Sequence, residues 1–104
     1  MNKDAMRELN KDEASWIEQA LKEESDLKSQ DITQYLEQIK SLKVVEECDC
    51  GDRECKSVRF QHYRPGYSYG LADASINRGT NKEFLAIVFV DRQTRLITEI
   101  ETVK

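Results

Sequence analysis

The chain has 104 residues, with 16 Lys and Arg against 20 Asp and Glu, one His, three Cys, four Gly and one Pro, for a formal charge of −4. That length holds one domain, residues 1–104, and no apolar run approaches the ~18 residues of a membrane span. The acidic balance disfavours a nucleic-acid binder held mainly by charge, and three cysteines, which cannot all pair, point to a reducing cytoplasm.

Residues 1–47 carry seven basic and twelve acidic side chains, a balance of −5, and residues 48–104 carry nine and eight, for +1. No repeat or Pro/Gly/Ser-rich linker divides the halves, so the asymmetry reads as two layers of one domain. Residues 1–9 read as a flexible lead. Asn10 is then placed to cap a helix, with Glu13 at N3 completing a capping box. Trp16, Ile17, Ala20 and Leu21 form its apolar stripe, and Glu18 and Lys22 are an i,i+4 pair in the favourable order. The helix should fray around Ser25-Asp26. A second helix starting near Asp31 carries Ile32, Tyr35, Leu36, Ile39 and Leu42 at helical spacing.

The period then falls to two. Val44-Val45 begins a strand running into Cys48, and Val58, Phe60 and His62 alternate with Ser57, Arg59 and Gln61 as in a half-buried strand. Arg64-Pro65-Gly66-Tyr67 is a turn in which Pro fixes φ and Gly takes φ > 0. Residues 67–76 make a weaker strand before a loop at residues 77–81. Phe84 to Val90 is apolar at every position, which predicts a central strand covered from both sides. Asp91 to Thr94 turns the chain into a last strand, Arg95–Val103, with Leu96 and Ile100 on one face. The expected fold is α+β, in the order α-α-β-β-β-β-β. Two N-terminal helices pack on one face of a four- to five-stranded antiparallel sheet, and the short connections favour a meander.

The most unusual stretch is Cys48-Asp49-Cys50-Gly51-Asp52-Arg53-Glu54-Cys55, where the first strand turns into the second. With His62 it spells C-x-C-x4-C-x6-H, the four ligands of a tetrahedral Cys3His zinc site. The spacing is against zinc, because knuckles use two to four intervening residues, whereas C-x-C in a strand sets the sulfurs ~6–7 Å apart. Asp49, Asp52 and Glu54 attract a cation but raise thiol pKa values. The same cysteines could close a reversible disulfide, Cys50 or Cys48 with Cys55, or serve only as small apolar groups at a hairpin tip. Cys48, Cys50, Cys55 and His62 are therefore the candidate metal ligands, and no cofactor other than zinc is implied. No nucleophile elbow, phosphate-cradling glycine loop or H-E-x-x-H motif is present, so no enzyme activity is expected.

Two surfaces could bind a partner. In the helical layer Glu8, Asp12, Glu13, Glu18, Glu23, Glu24 and Asp26 outnumber Lys11 and Lys22. Such a face is either a solvated exterior or a docking surface for a basic protein, with Glu13, Glu18, Glu23 and Glu24 as its contacts. The second surface interleaves Arg59, Tyr63, Arg64, Tyr67 and Tyr69, residue types enriched at protein–protein hot spots and able to stack RNA bases.

Val45-x-x-Cys48-x-Cys50-Gly51, then Ser57-Val58-x-Phe60, a late apolar strand and Leu96-x-x-x-Ile100-Glu101, resembles a group of small uncharacterised bacterial proteins. Members of that group carry a C-x-C-G turn before a strand and end in a β-hairpin. The resemblance covers roughly the second half and implies a bacterial cytoplasmic protein, with no activity attached. In type alone, a small acidic non-enzymatic α+β protein is also similar to the immunity proteins of toxin systems. The expectation is thus a cytoplasmic protein that masks a basic toxin or nuclease domain. A zinc-binding or redox-responsive module is the alternative, and RNA binding on the sheet face is a third.

Overall fold

The computed structural model describes residues 6–24, 29–48, 57–77 and 83–103. In chain order these form β1 (Arg7–Glu8), α1 (Lys11–Glu23), α2 (Ser29–Gln38), a 3-10 turn (Ile39–Ser41), β2 (Lys43–Glu47), β3 (Val58–Phe60), β4 (Ser68–Asn77), β5 (Glu83–Asp91) and β6 (Ile97–Val103). The architecture is α+β: two helices and one antiparallel sheet of six strands in the order β1-β2-β3-β6-β5-β4.

The capping box that opens α1 is complete. Glu13 N donates to the Asn10 side chain at 2.8 Å, and Asn10 N donates to Glu13 Oε1 at 3.0 Å. Each bond satisfies an amide that the first helical turn leaves without a partner. The stripe Trp16, Ile17, Ala20 and Leu21 is buried against β4 and β5, with the Trp16 ring edge-on to Phe84 at 5.1 Å. Helix α1 ends where Glu24 turns extended, and the expected fraying point at residues 25–26 lies outside the described residues. Helix α2 starts two residues before Asp31 and buries Tyr35, with Ile32, Leu36 and Ile39 packed at the core margin. Its Gln38 side chain acts as a strand surrogate at the start of β6, accepting from Ile97 N at 2.7 Å and donating to Arg95 O at 2.9 Å.

One apolar core lies between helices and sheet. Ile17, Leu21, Phe60, Ile97 and Ile100 are fully enclosed, each such side chain stabilising the fold by ~1.5–3 kcal/mol.

The sheet departs from the expectation in four ways. Arg7–Glu8, within the stretch 1–9 read as a flexible lead, pair with Lys43 and Val44 as a sixth strand too short to show a period. The meander is broken, because β3 pairs with β6 and β4 sits at the far edge. The β3–β4 connection crosses the end of the β5–β6 hairpin, where Tyr67 O accepts from Arg92 N at 2.9 Å. Third, β3 stops at Phe60 and His62 lies in the following turn, so the alternation through His62 is not strand pairing. Finally, it is Ile97 and Ile100 that go into the core while Leu96 stays half-buried, because a bulge between Phe89 and Val90 shifts the β5–β6 register.

The turns follow their chemistry. Gly66 has φ +83°, and Tyr67 N donates to Arg64 O at 3.3 Å, as Pro then Gly at the two central positions require. Asp91 Oδ1 accepts from Gln93 N at 2.8 Å and Thr94 N at 3.0 Å, which folds the β5–β6 hairpin.

Candidate protein-binding face

Strand β5 settles which surface is uncovered. Ala86, Val88 and Val90 are fully buried against the helices, so by alternation Leu85, Ile87 and Phe89 face the other way. Gly70 on β4 confirms this: a Cβ built there would lie 3.5 Å from the Ile87 side chain and 3.8 Å from the Phe89 ring. Both helices pack on one face of the sheet, so among the described residues no helix covers the outward row of β5, whose Leu85, Ile87 and Phe89 are half-buried. The outward row is as apolar as the inward one, which is why the sequence pattern predicts cover on both sides.

The register gives the surroundings of that row. Ile87 is flanked by Asp73 on β4 and Glu101 on β6, Phe89 by Gly70 and Glu99, and Leu85 by Ser75 and Val103. Val103 is 41% exposed, the same patch continued. Farther along, β6, β3 and β2 line a groove of about 510 Å³ whose described walls include Glu46, Glu47, Glu99 and Glu101 together with Arg59. Arg59 bridges two of these acids, at 2.9 Å from Glu46 and 3.6 Å from Glu99. Burial pushes the Glu99 carboxyl above its ordinary range, and the neighbouring Glu101 charge adds to this while Arg59 opposes it. The uncovered face is apolar along its middle strand and acidic on both flanks.

The residues singled out from sequence are dispersed. Glu13 is buried in the capping box and also holds the Arg7 guanidinium by two bonds of 2.8 Å, so it is structural cement between β1 and α1. Glu18 pairs with Lys22 at 2.7 Å, Glu23 is exposed and Glu24 is half-buried at the helix end. Arg59 stacks on Tyr63 at 4.3 Å and Arg64 on Tyr67 at 3.9 Å. Arg64 also reaches round the hairpin to Asp91, with Nε at 2.8 Å and a second nitrogen at 3.0 Å. That guanidinium, helped by the two turn amides, holds the buried Asp91 carboxyl far below the usual carboxylate range. Tyr69 packs against the core and its hydroxyl accepts from Arg95. The Arg/Tyr cluster is therefore three separate contacts.

Cys48 lies on the groove wall, its backbone N donating to Ser57 O at 3.0 Å, while Cys50 and Cys55 lie outside the described residues. His62 follows the opposite end of β3, about 10 Å of strand away from Ser57, so the fold does not bring it to Cys48. No group of three or more His, Cys, Asp or Glu able to hold a metal occurs among the described residues.

The alternating carboxylates Glu99 and Glu101 on either side of Ile100, and Asp73 between two alanines, were the signal in the sequence for this face. No helix among the described residues is long and apolar enough to cross a membrane. No family model matches the chain, and neither a curated protein nor a solved structure is significantly similar to it.

Proposed function

We propose that this chain is a non-enzymatic cytoplasmic binding protein that masks a basic surface on another protein, in the manner of an immunity or inhibitor protein for a toxin or nuclease domain. The observation that carries the reading is the sheet face away from the helices, where Asp73 on one side and Glu99 and Glu101 on the other flank the apolar row of β5. Carboxylates arranged in this way steer a cationic partner and fix its register, while the apolar strip supplies area to desolvate. The contact surface on this reading is the sheet, since Glu13 is buried in the helix cap and Glu18 lies beside Lys22, whereas Asp73 and Glu101 flank an apolar row. RNA binding has weaker support. Arg59 and Arg64 are engaged by carboxylates and tyrosine rings, and phosphates on this face would meet Glu99 and Glu101.

The test is affinity capture at low salt from the cells of origin, followed by titration of the captured protein against its own activity. One basic protein, bound one to one and silenced, is the expected result. Asp73→Lys with Glu101→Lys should weaken that binding at least tenfold, and Glu18→Lys with Glu23→Lys should leave it within about twofold. Failure to recover a stoichiometric basic partner, or dependence on the helical pair instead, overturns the proposal.

A further inference from the structure

The shape of the uncovered face limits what can sit on it. Its apolar part is one strand wide: Leu85, Ile87 and Phe89 on β5, with Val103 beside Leu85. Asp73, Ile87 and Glu101 stand in register across three neighbouring strands, which at ~4.8 Å per strand places the two acids ~10 Å apart with the isoleucine between them. An α-helix with its side chains is ~10 Å across, so a helix laid along β5 has one flank over Asp73 and the other over Glu99 and Glu101. The row from Leu85 to Phe89 runs ~13 Å, the length of about nine helical residues. Gly70 contributes no side chain beside the half-buried Phe89 ring, so the β4 flank is low at that end of the row. A second copy of this chain is a poor fit, because its own acidic face would set carboxylates against carboxylates.

We infer that this face receives one amphipathic helix of the partner, its apolar stripe on Leu85, Ile87 and Phe89 and its Lys or Arg flanks against Asp73 on one side and Glu99 and Glu101 on the other. The inference rests on the binding reading above and names the element that is bound. It also gives the two halves of the face separate roles. The acids select a basic segment, and the ~10 Å between them suits the width of a helix better than that of a single extended chain.

The probe is a synthetic peptide of about 14 residues with Leu at helical i, i+3, i+4, i+7 spacing and Lys elsewhere. A second peptide of the same composition, with its Leu residues set two apart and Lys elsewhere, serves as the comparison. Binding is followed by NMR amide shifts on the full chain. The helical-pattern peptide should bind at least tenfold tighter, with shifts confined to residues 70–75, 85–90 and 99–103. Ile87→Ser should weaken it at least tenfold, and so should the exposed double variant Asp73→Lys with Glu101→Lys, which keeps the test open if Ile87→Ser does not fold. Glu37→Lys on α2 should change nothing. Equal affinity for the two peptides, with shifts still on this face, overturns the helix and leaves the basic-partner reading standing. Shifts on the helical layer, or no binding of either peptide at low salt, overturn both.

Discussion

Glu13 offers the sharpest stability test, because one buried carboxylate closes the capping box of α1 and anchors β1 through Arg7. Glu13→Ala removes the acceptor for Asn10 N, a cap interaction of ~1 kcal/mol. It also removes the two 2.8 Å bonds from Arg7. A shielded pair of charged bonds would contribute ~1.5–3 kcal/mol, but Arg7 is 36% exposed and keeps Glu47 at 2.8 Å, so ~1 kcal/mol is the fitting figure. The expected loss is therefore ~2 kcal/mol, a fall in melting temperature of roughly 8–10 °C for a domain of this size. Glu13→Gln retains an oxygen for Asn10 N and should lose about half as much. Urea unfolding followed by circular dichroism measures both. A double-mutant cycle with Arg7→Ala should return a coupling of ~1 kcal/mol, and the Arg7 and Glu8 amides should exchange faster in either single variant. Equal losses for the Ala and Gln variants, or no coupling to Arg7, would refute this account of the helix start.

Three further outcomes follow from the turns and the acidic face. The Asp91 carboxyl is held below its ordinary value near 3.8, so its contribution is complete above that pH and is lost as pH falls through the folded value; Asp91→Asn should flatten the acid limb of a pH–stability curve, and an unchanged limb would refute the strap from Arg64. Glu99 is shifted the other way. Its folded state holds a proton more tightly than the unfolded chain, so stability should drop as pH rises from about 4.5 through the folded value, and Glu99→Gln should gain on the wild type across that window; parallel curves would sink the assignment. Gly66→Ala should cost ~1 kcal/mol in unfolding free energy, purely from backbone conformation, because φ is +83° and nothing lies within 4 Å of the added methyl; Gly66→Asn should recover part of the loss.

Most elements were legible because their signals are local. The capping box of Asn10 and Glu13, the α1 stripe, and the turns at Pro65-Gly66 and Asp91 all depend on residues within four positions of one another. What escaped the sequence is long-range. Nothing near Arg7 foretells that it will pair with Glu47, forty positions on, and make a two-residue strand. The insertion of β6 between β3 and β5 is set by the path of residues 61–67, which Arg64 fastens to Asp91 twenty-seven positions away. The candidate face was half legible. Period-two carboxylates mark Glu99 and Glu101, but an unbroken apolar run from Phe84 to Val90 does not say which side the helices will cover.

Charge counted along the chain and charge counted by face lead to different partners. By segment the acidity belongs to the helices, yet folding neutralises part of it: Glu13 meets Arg7, Glu18 meets Lys22 and Glu8 meets Lys43. The nearly balanced second half is instead sorted by strand alternation. Among the described residues, Arg64, Arg92 and Arg95 fall in the connections at one end, while Asp73, Glu99 and Glu101, with Arg59, fall on the side of the sheet away from the helices. Alternation thereby sets Asp73, Glu99 and Glu101 beside the apolar row of β5. In the proposed complex the two features act at different moments. The carboxylates work at distance and govern how fast a basic partner arrives, an effect that salt screens over ~8–10 Å. Leu85, Ile87 and Phe89 act only on contact and govern how long it stays, which salt barely touches.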